Sequence, residues 1–143
     1  MKCNHVHRFG TLLVASILLL TSCELDDFNI DSDDDRDKIT DTWRCEENSE
    51  LYGQSNPYLS DISKNSSDSI TIYINNFYQL GFDQEVYATL TNRTIDIPQQ
   101  IVDGHKIKGN GTIDNSYNSI RFKYTVDEGS GILDDVTALY SRN

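Results

Sequence analysis

Residues that could transfer protons or attack a substrate are few and scattered in this sequence. Two of the three histidines, His5 and His7, lie in the first 22 residues, so His105 is the one imidazole of the remaining sequence. Downstream of Cys23 the only thiol is Cys45. A zinc site needs about four clustered Cys, His or carboxylate ligands, and many serine hydrolases carry a Gly-x-Ser-x-Gly turn. The sequence contains neither pattern, so we expect no catalytic residues, no metal and no cofactor.

Paired carboxylates are the catalytic alternative that the sequence leaves open, because two acids can meet in space whatever their spacing along the chain. The glutamates available are Glu46, Glu47, Glu50, Glu85 and Glu128. Most of them fall on predicted outward strand positions or in turns. A domain over residues 38–143 also leaves no room for long active-site loops. We therefore expect a protein without enzymatic activity, with a small hydrolase as an alternative.

The N-terminal segment has the layout of an export signal. Lys2 and Arg8 precede an apolar run at 11–20, TLLVASILLL. This run is shorter than the roughly 20 residues that span a bilayer. This order is typical of a secretory signal. The run ends in LTSC at 20–23, which resembles the lipobox of bacterial lipoproteins. The resemblance implies cleavage after residue 22, lipidation of Cys23 and attachment to a membrane; a plain signal peptide or an uncleaved anchor is the alternative.

An acidic segment follows at 24–37, ELDDFNIDSDDDRD, with eight carboxylates and one arginine. Such a segment buries too little apolar surface to offset its ordering entropy, so a solvated tether is predicted over 23–37. It also resembles the acidic export signals of surface-displayed lipoproteins of some Gram-negative bacteria. That resemblance assigns the signal to Glu24, Asp26 and Asp27, and it implies an outer-membrane location facing the cell exterior.

The net charge restricts the partners of the protein. The formal net charge is −11 at pH 7, and it is more negative still without the two cations of the first 22 residues. Nucleic-acid binding requires clustered lysine and arginine to neutralise phosphates, so we expect no nucleic-acid partner. Residues 38–143 suffice for one domain. The expected organisation is a signal at 1–22, a lipidated tether at 23–37 and a domain at 38–143.

Alternation of apolar and polar residues predicts an all-β domain. The segment at 119–126, SIRFKYTV, is the clearest case, and the segment at 69–77 sets Ile70, Ile72 and Ile74 on one face. Turn signals separate the runs, and Gly109 and Gly111 indicate a bend or bulge. We predict about eight strands, near 41–48, 57–63, 69–77, 84–90, 94–102, 105–113, 118–127 and 132–141. Short connections favour an antiparallel up-and-down meander that closes into a barrel; a β-sandwich is the alternative.

The first predicted strand carries a family resemblance. In ITDTWRCEE at 39–47, Trp43 stands where lipocalin-like (calycin) barrels have the tryptophan of an opening Gly-x-Trp, although Asp41 replaces the glycine. Small lipoproteins of surface-colonising bacteria that carry such domains share the layout of lipobox, acidic tether and β-meander. The resemblance implies a lipocalin-like barrel. Trp43 is also what a core aromatic at one end of a sheet looks like, with Cys45 as a small buried neighbour.

Two modes of binding compete in the sequence. An eight-stranded barrel can hold one small apolar ligand, although the same inward side chains would also make a filled core. The alternative is an exposed rim at 75–82, NNFYQLGF, where Phe77, Tyr78 and Phe82 could stack on a sugar or anchor a protein. We therefore expect a binding module for a small ligand or glycan, or else an interaction subunit with a filled core. Ser69, in the DSI triplet at 68–70, resembles an O-glycosylation site of exported proteins in some of the same bacteria.

Overall fold

The computed structural model describes residues 33–142, and these residues form an antiparallel β-structure. Two 3₁₀ turns, Asp35–Lys38 and Phe77–Gln79, accompany the strands. No helix among the described residues has the length and apolar character needed to cross a membrane. The strands are β1 (Asp41–Ser49), β2 (Gly53–Gln54), β3 (Tyr58–Lys64), β4 (Thr71–Asn75), β5 (Glu85–Thr91), β6 (Thr94–Val102), β7 (His105–Ile113), β8 (Ser119–Asp127) and β9 (Asp134–Ser141).

The sheet closes on itself through its first and last long strands. From β3 to β9 each strand pairs with the next, β1 pairs with β3, and β1 also pairs with β9, from Arg44 opposite Ser141 to Ser49 opposite Val136. The short β2 pairs only with the end of β1. Eight strands therefore form a closed antiparallel barrel, which confirms the predicted meander and excludes the β-sandwich. This architecture is compatible with a lipocalin-like barrel.

The alternation seen in the sequence sets the two faces of the barrel wall. Along β8 the inward residues are buried and the residues between them are exposed or half-buried, as predicted. The same holds for β5 and β9. Trp43 is fully buried, and its indole N–H donates to the Ile39 carbonyl at 2.9 Å. Cys45 is also fully buried, on the same inward face of β1.

One predicted core residue lies outside the core. Ile70 was expected to point inward with Ile72 and Ile74, but it is 50% exposed. The reason is local: the Asp68 carboxylate accepts hydrogen bonds from the backbone N–H groups of Ile70 and Thr71. This turn delays the start of β4 to Thr71, so the alternation begins one residue after Ile70.

The bulge lies on a different strand from the one the glycines indicated. β6 pairs with β7 without interruption to Ile97, and the register then shifts by one residue before Gln100, so the irregularity spans Pro98. Gly109 lies directly opposite Ile97, and both Gly109 and Gly111 pair regularly with β8. A Cβ atom on Gly111 would lie 2.6 Å from the Phe122 ring. The glycines therefore make room for aromatic side chains of β8, rather than forming the bulge themselves.

The two ends of the barrel are built from different connections. The described chain enters at the end that we call the N-terminal end, which comprises residues 33–40, 64–70, 92–93, 114–118 and 142. The opposite end, which we call the acidic end, comprises residues 50–57, 76–85, 101–106 and 127–135. Antiparallel pairing puts every other connection at the same end, so the four connections of the acidic end share one surface.

Candidate functional site

The loop after β4 folds back into the barrel at the acidic end. Phe77 is only 1% exposed, and its ring centroid lies 4.5 Å from that of Tyr124 and 5.8 Å from that of Phe122. The ring of Tyr140, which is fully buried, lies 6.5 Å from that of Phe77 and 4.8 Å from that of Phe122. These rings occupy the centre of the barrel. Phe77 is therefore a core residue, which corrects the expectation that it belongs to an exposed rim.

Unusual backbone angles hold this loop, residues 76–82, in place. Asn76, Tyr78 and Gln79 all have φ between 53° and 58°, a left-handed conformation that residues other than glycine rarely adopt. The Asn76 side chain compensates, because its amide donates to the Leu59 carbonyl at 2.6 Å and accepts from the Gly81 N–H at 2.9 Å. Such conformations persist only where the surroundings enforce them.

A buried carboxylate lies beneath the loop. Glu47 points inward from β1, is 4% exposed, and accepts hydrogen bonds from the hydroxyl groups of Tyr58 and Tyr124. Among the described residues no cation forms an ion pair with it. Burial raises the pKa of Glu47 above its usual value, and the two tyrosine hydroxyl groups offset only part of that effect. A buried carboxylate without a counter-charge is costly, and this cost marks the position as unusual.

A second buried carboxylate connects the loops of the acidic end. Asp134 is 1% exposed and accepts hydrogen bonds from the Ser49 hydroxyl at 2.9 Å and the Tyr78 hydroxyl at 3.1 Å. The exposed Glu128 approaches the hydroxyl groups of Tyr52 and Tyr78, at 3.2 and 3.4 Å. Three of the loops at this end therefore meet around Tyr78, and burial raises its pKa.

A small pocket opens between these loops. It has a volume of about 150 Å³ and is lined by Glu47, Ser49, Tyr52, Gly53, Gln54, Ser55, Tyr78 and Gln79. The Ser55 hydroxyl oxygen is buried and has no hydrogen-bond partner among the described residues. Pockets that enclose a drug-sized ligand are about 300–1,000 Å³. This pocket therefore has room for one small group, such as a side chain or a single sugar unit, and it offers that group two tyrosine rings, two side-chain amides and one carboxylate.

Exposed apolar side chains collect at the same end of the barrel as this pocket. Of the nine exposed large apolar residues in the described part of the chain, six lie at the acidic end and one, Ile70, lies at the N-terminal end. We call the six the apolar rim: Leu51, Tyr52, Phe82, Ile101, Ile132 and Leu133, which are 51%, 67%, 53%, 73%, 61% and 60% exposed. Scattered exposed apolar residues are ordinary, but a group on one face is typical of an interaction site.

The two ends differ in net charge as well as in the number of exposed apolar residues. The acidic end carries eight carboxylates and one lysine, a net charge of −7, whereas the N-terminal end has a net charge of −1. Lys106, the lysine of the acidic end, approaches Asp127 at 3.9 Å. Six of the eight carboxylates are exposed at the same end as the apolar rim: Glu50, Asp83, Glu85, Asp103, Glu128 and Asp135.

The other residues singled out in the sequence are distributed as follows. Tyr78 is half-buried and Phe82 is exposed, so both have surface available at the acidic end. Ser69 is exposed in the loop before β4, at the N-terminal end. His105 starts β7, and its ring Nδ1–H donates to the Asp103 carbonyl, 2.8 Å away. Cys23, Glu24, Asp26 and Asp27 lie outside the described residues.

Glu47 is the residue that the sequence reasoning grouped with the outward acids and did not single out. The signal was present, because Glu47 shares the parity of Trp43 and Cys45 along β1, and both of those were expected to be buried. An acid at an inward strand position deserves explanation, since buried carboxylates are rare unless they are partnered. No group of three or more potential metal ligands is found within residues 33–142. The arrangement around Glu47 therefore offers hydrogen bonding and negative charge.

No known protein-family model matches the chain, and no curated protein sequence matches it either.

Proposed function

We propose that this protein is a lipid-anchored, surface-exposed binding module without enzymatic activity, which engages a protein partner through its acidic end. This is the interaction-subunit alternative of the sequence analysis. One observation carries the proposal: of the nine exposed large apolar residues in residues 33–142, six lie at one end of a barrel in whose interior Phe77, Phe122 and Tyr140 pack together.

The position of the N-terminus supports the same proposal. The described chain enters at the N-terminal end, so an anchor at Cys23 would connect to the barrel there. The acidic end lies at the other end of the strands. The apolar rim therefore lies at the end of the barrel opposite the point of attachment that this proposal gives it.

A glycan is the second candidate, favoured by the pocket beside Tyr78. Tyrosine rings pack against sugar rings, and amides such as those of Gln54 and Gln79 hydrogen-bond to sugar hydroxyl groups. The pocket has room for one such unit. Native mass spectrometry of the protein purified without denaturation tests the small-ligand version: a mass shift of a few hundred daltons that disappears on denaturation would favour it over a protein partner.

Anchoring is tested with Cys23→Ser in a Gram-negative host. We expect the unsubstituted protein in the outer-membrane fraction and sensitive to protease added to intact cells, and we expect Cys23→Ser to leave that fraction. Protein that stays membrane-bound without Cys23, or that resists protease until the cells are broken, would contradict the anchored, surface-exposed part of the proposal.

Partner binding is tested by cross-linking on intact cells with the double variant Ile132→Ser/Leu133→Ser. Ile70→Ser is the matched control, because it removes one exposed apolar side chain from the opposite end. We expect the double variant to lose a specific cross-linked species that Ile70→Ser retains. Equal retention by all three proteins would contradict a role for the apolar rim.

A further inference from the structure

The acidic end combines two properties that together specify the chemistry of its partner. It exposes six apolar side chains, and six exposed carboxylates lie in the connections of the same end. Among the described residues of this end one lysine stands against eight acids. A partner that covered this surface with neutral or acidic groups would bury carboxylates without counter-charges, which is costly.

The buried part of the site has the same requirement. Glu47 and Asp134 are 4% and 1% exposed, and neither forms an ion pair with a cation among the described residues. Their hydrogen bonds come from hydroxyl groups of tyrosine and serine and from the Leu51 backbone N–H. Glu47 lines the pocket of about 150 Å³, beside the rings of Tyr52 and Tyr78. Carboxylates next to tyrosine rings form an environment that favours a cationic group, because both the charge and the face of the ring attract it.

We propose that the acidic end docks a cationic, amphipathic peptide segment of a partner protein. Its apolar side chains pack on the apolar rim, and one lysine or arginine enters the pocket beside Glu47. This inference rests on the proposed function, since it names the partner class of the same surface. An anionic membrane is disfavoured as the occupant, because the net charge of −7 at this end would be repelled by anionic headgroups.

The experiment uses the full chain in nanodiscs of zwitterionic lipid, with empty nanodiscs as the blank. Three synthetic peptides share one leucine pattern and differ only in their polar positions, which are all lysine, all glutamine or all glutamate. Binding is measured by fluorescence anisotropy of labelled peptide. We expect the lysine peptide to bind at least about tenfold more tightly than the glutamine peptide, and its affinity to fall as salt is raised.

Two variants locate the effect on the protein. Glu50→Lys/Glu128→Lys reverses two exposed charges of the acidic end, and Asp96→Lys is the matched control on the outer face of β6. We expect the double variant to weaken binding of the lysine peptide by about tenfold and Asp96→Lys to leave it within about twofold. Equal loss in both proteins would mean non-specific attraction and would overturn the inference, as would equal binding of the three peptides.

Failure of this inference is distinguishable from failure of the proposed function. If Ile132→Ser/Leu133→Ser abolishes the cross-linked species while Glu50→Lys/Glu128→Lys retains it, the rim binds a partner but that partner is not cationic. If neither double variant changes the cross-linked species, the acidic end is not the binding surface and both proposals fall. Glu47→Gln adds a test of the pocket. If a lysine of the peptide contacts Glu47, the lysine peptide should bind this variant more weakly than the unsubstituted protein, and the glutamine peptide should bind both equally.

Discussion

The two ends of the barrel differ in how their charged side chains are partnered. At the N-terminal end the Arg36 guanidinium donates to the carbonyls of Asn65 and Thr71, both at 3.0 Å, and to the Asp34 carboxylate at 2.8 Å. Lys38 pairs with Asp33 and Asp35, which both precede it in the sequence, and Arg142 lies over the Trp43 ring. At the acidic end Asp134 is buried with hydroxyl and backbone donors alone, and Glu47 of β1, beneath the loop at 76–82, is buried with hydroxyl donors. At the N-terminal end, therefore, Arg36 and Lys38 are paired with acids of the described chain. The acidic end instead carries an excess of negative charge that is available to a cationic partner.

This difference suggests separate roles for the two ends: charged side chains stabilise the fold at the N-terminal end, and they are available for binding at the acidic end. Arg36 is 6% exposed and donates to carbonyls at the two ends of the connection between β3 and β4, so this part of the predicted tether at 23–37 packs against the barrel, which corrects that expectation for Arg36. The hydrogen bond from Arg36 also lowers the pKa of Asp34 to about 2. Side chains at the N-terminal end thus hold the chain in a fixed position relative to the barrel. At the acidic end the exposed groups contribute little to folding and remain free to contact another molecule.

The largest expected effect contrasts two phenylalanines of the same loop. Phe77→Ala should lower the free energy of unfolding by about 4 kcal/mol, because it leaves a cavity among the rings of Phe122, Tyr124 and Tyr140. Phe82→Ala, at a 53% exposed position, should stay within about 0.5 kcal/mol. Urea unfolding followed by the fluorescence of Trp43, the single tryptophan, measures both. Similar losses in the two variants would break the distinction between core and rim within this loop.

A smaller effect is expected at the N-terminal end. Arg36→Ala should cost about 2 kcal/mol, since it removes charge-assisted hydrogen bonds and leaves two backbone carbonyls without this donor. Lys38→Ala, two residues away with surface ion pairs, should cost much less, because surface ion pairs contribute little to stability.

The same unfolding experiment checks the electrostatic part of the Arg36 prediction by its pH dependence. The lowered pKa of Asp34 means that its stabilising contribution is present above the usual aspartate pKa of about 3.9 and is lost as the pH falls toward 2. The difference between Arg36→Ala and the unsubstituted protein should therefore shrink across that acid range. A constant difference would point to packing of the Arg36 stem rather than to its charge.

The smallest expected effect on stability concerns Glu47. Its dependence on pH is opposite to that of Asp34. The pKa of Glu47 is raised in the folded protein, so folding takes up a proton and stability falls as the pH rises through the folded-state pKa. Below the unfolded-state pKa, near about 4.3, that contribution is fully present. Glu47→Gln should therefore remove this decline, with a free energy of unfolding at least equal to that of the unsubstituted protein at pH 8.

Glu46→Gln is the control for that measurement, because Glu46 is the adjacent glutamate and points outward from β1. It should leave the pH profile unchanged. A large loss of stability in Glu47→Gln at pH 8 would indicate that the ionised carboxylate is itself required by Tyr58 and Tyr124. In that case the acidic end would be as complete electrostatically as the N-terminal end, and the contrast between them would fail.

Much of the barrel wall could be predicted from the sequence, because apolar and polar residues alternate along each strand and so mark its inward and outward faces. The eight long strands lie close to their predicted positions, with β6 and β7 matching the predicted bounds. The Asp103-Gly104 turn has φ of 47° and 80°, as its composition required. The errors were local: Ile70 was displaced by the Asp68 turn, and the bulge fell on β6 where Pro98 interrupts the pairing.

What the sequence by itself determined is therefore the pattern of the strands, their inward and outward faces and the excess of acid, since these follow from neighbouring residues. Only the tertiary structure decided where the acid gathers and what lies at the centre. Glu47 and Tyr124 are 77 residues apart and meet because the barrel closes. Phe77 enters the core because Asn76 redirects the chain through a left-handed turn. Closure places alternate loops at a common end, and the sum of their charges and apolar side chains exists only once those loops share a surface.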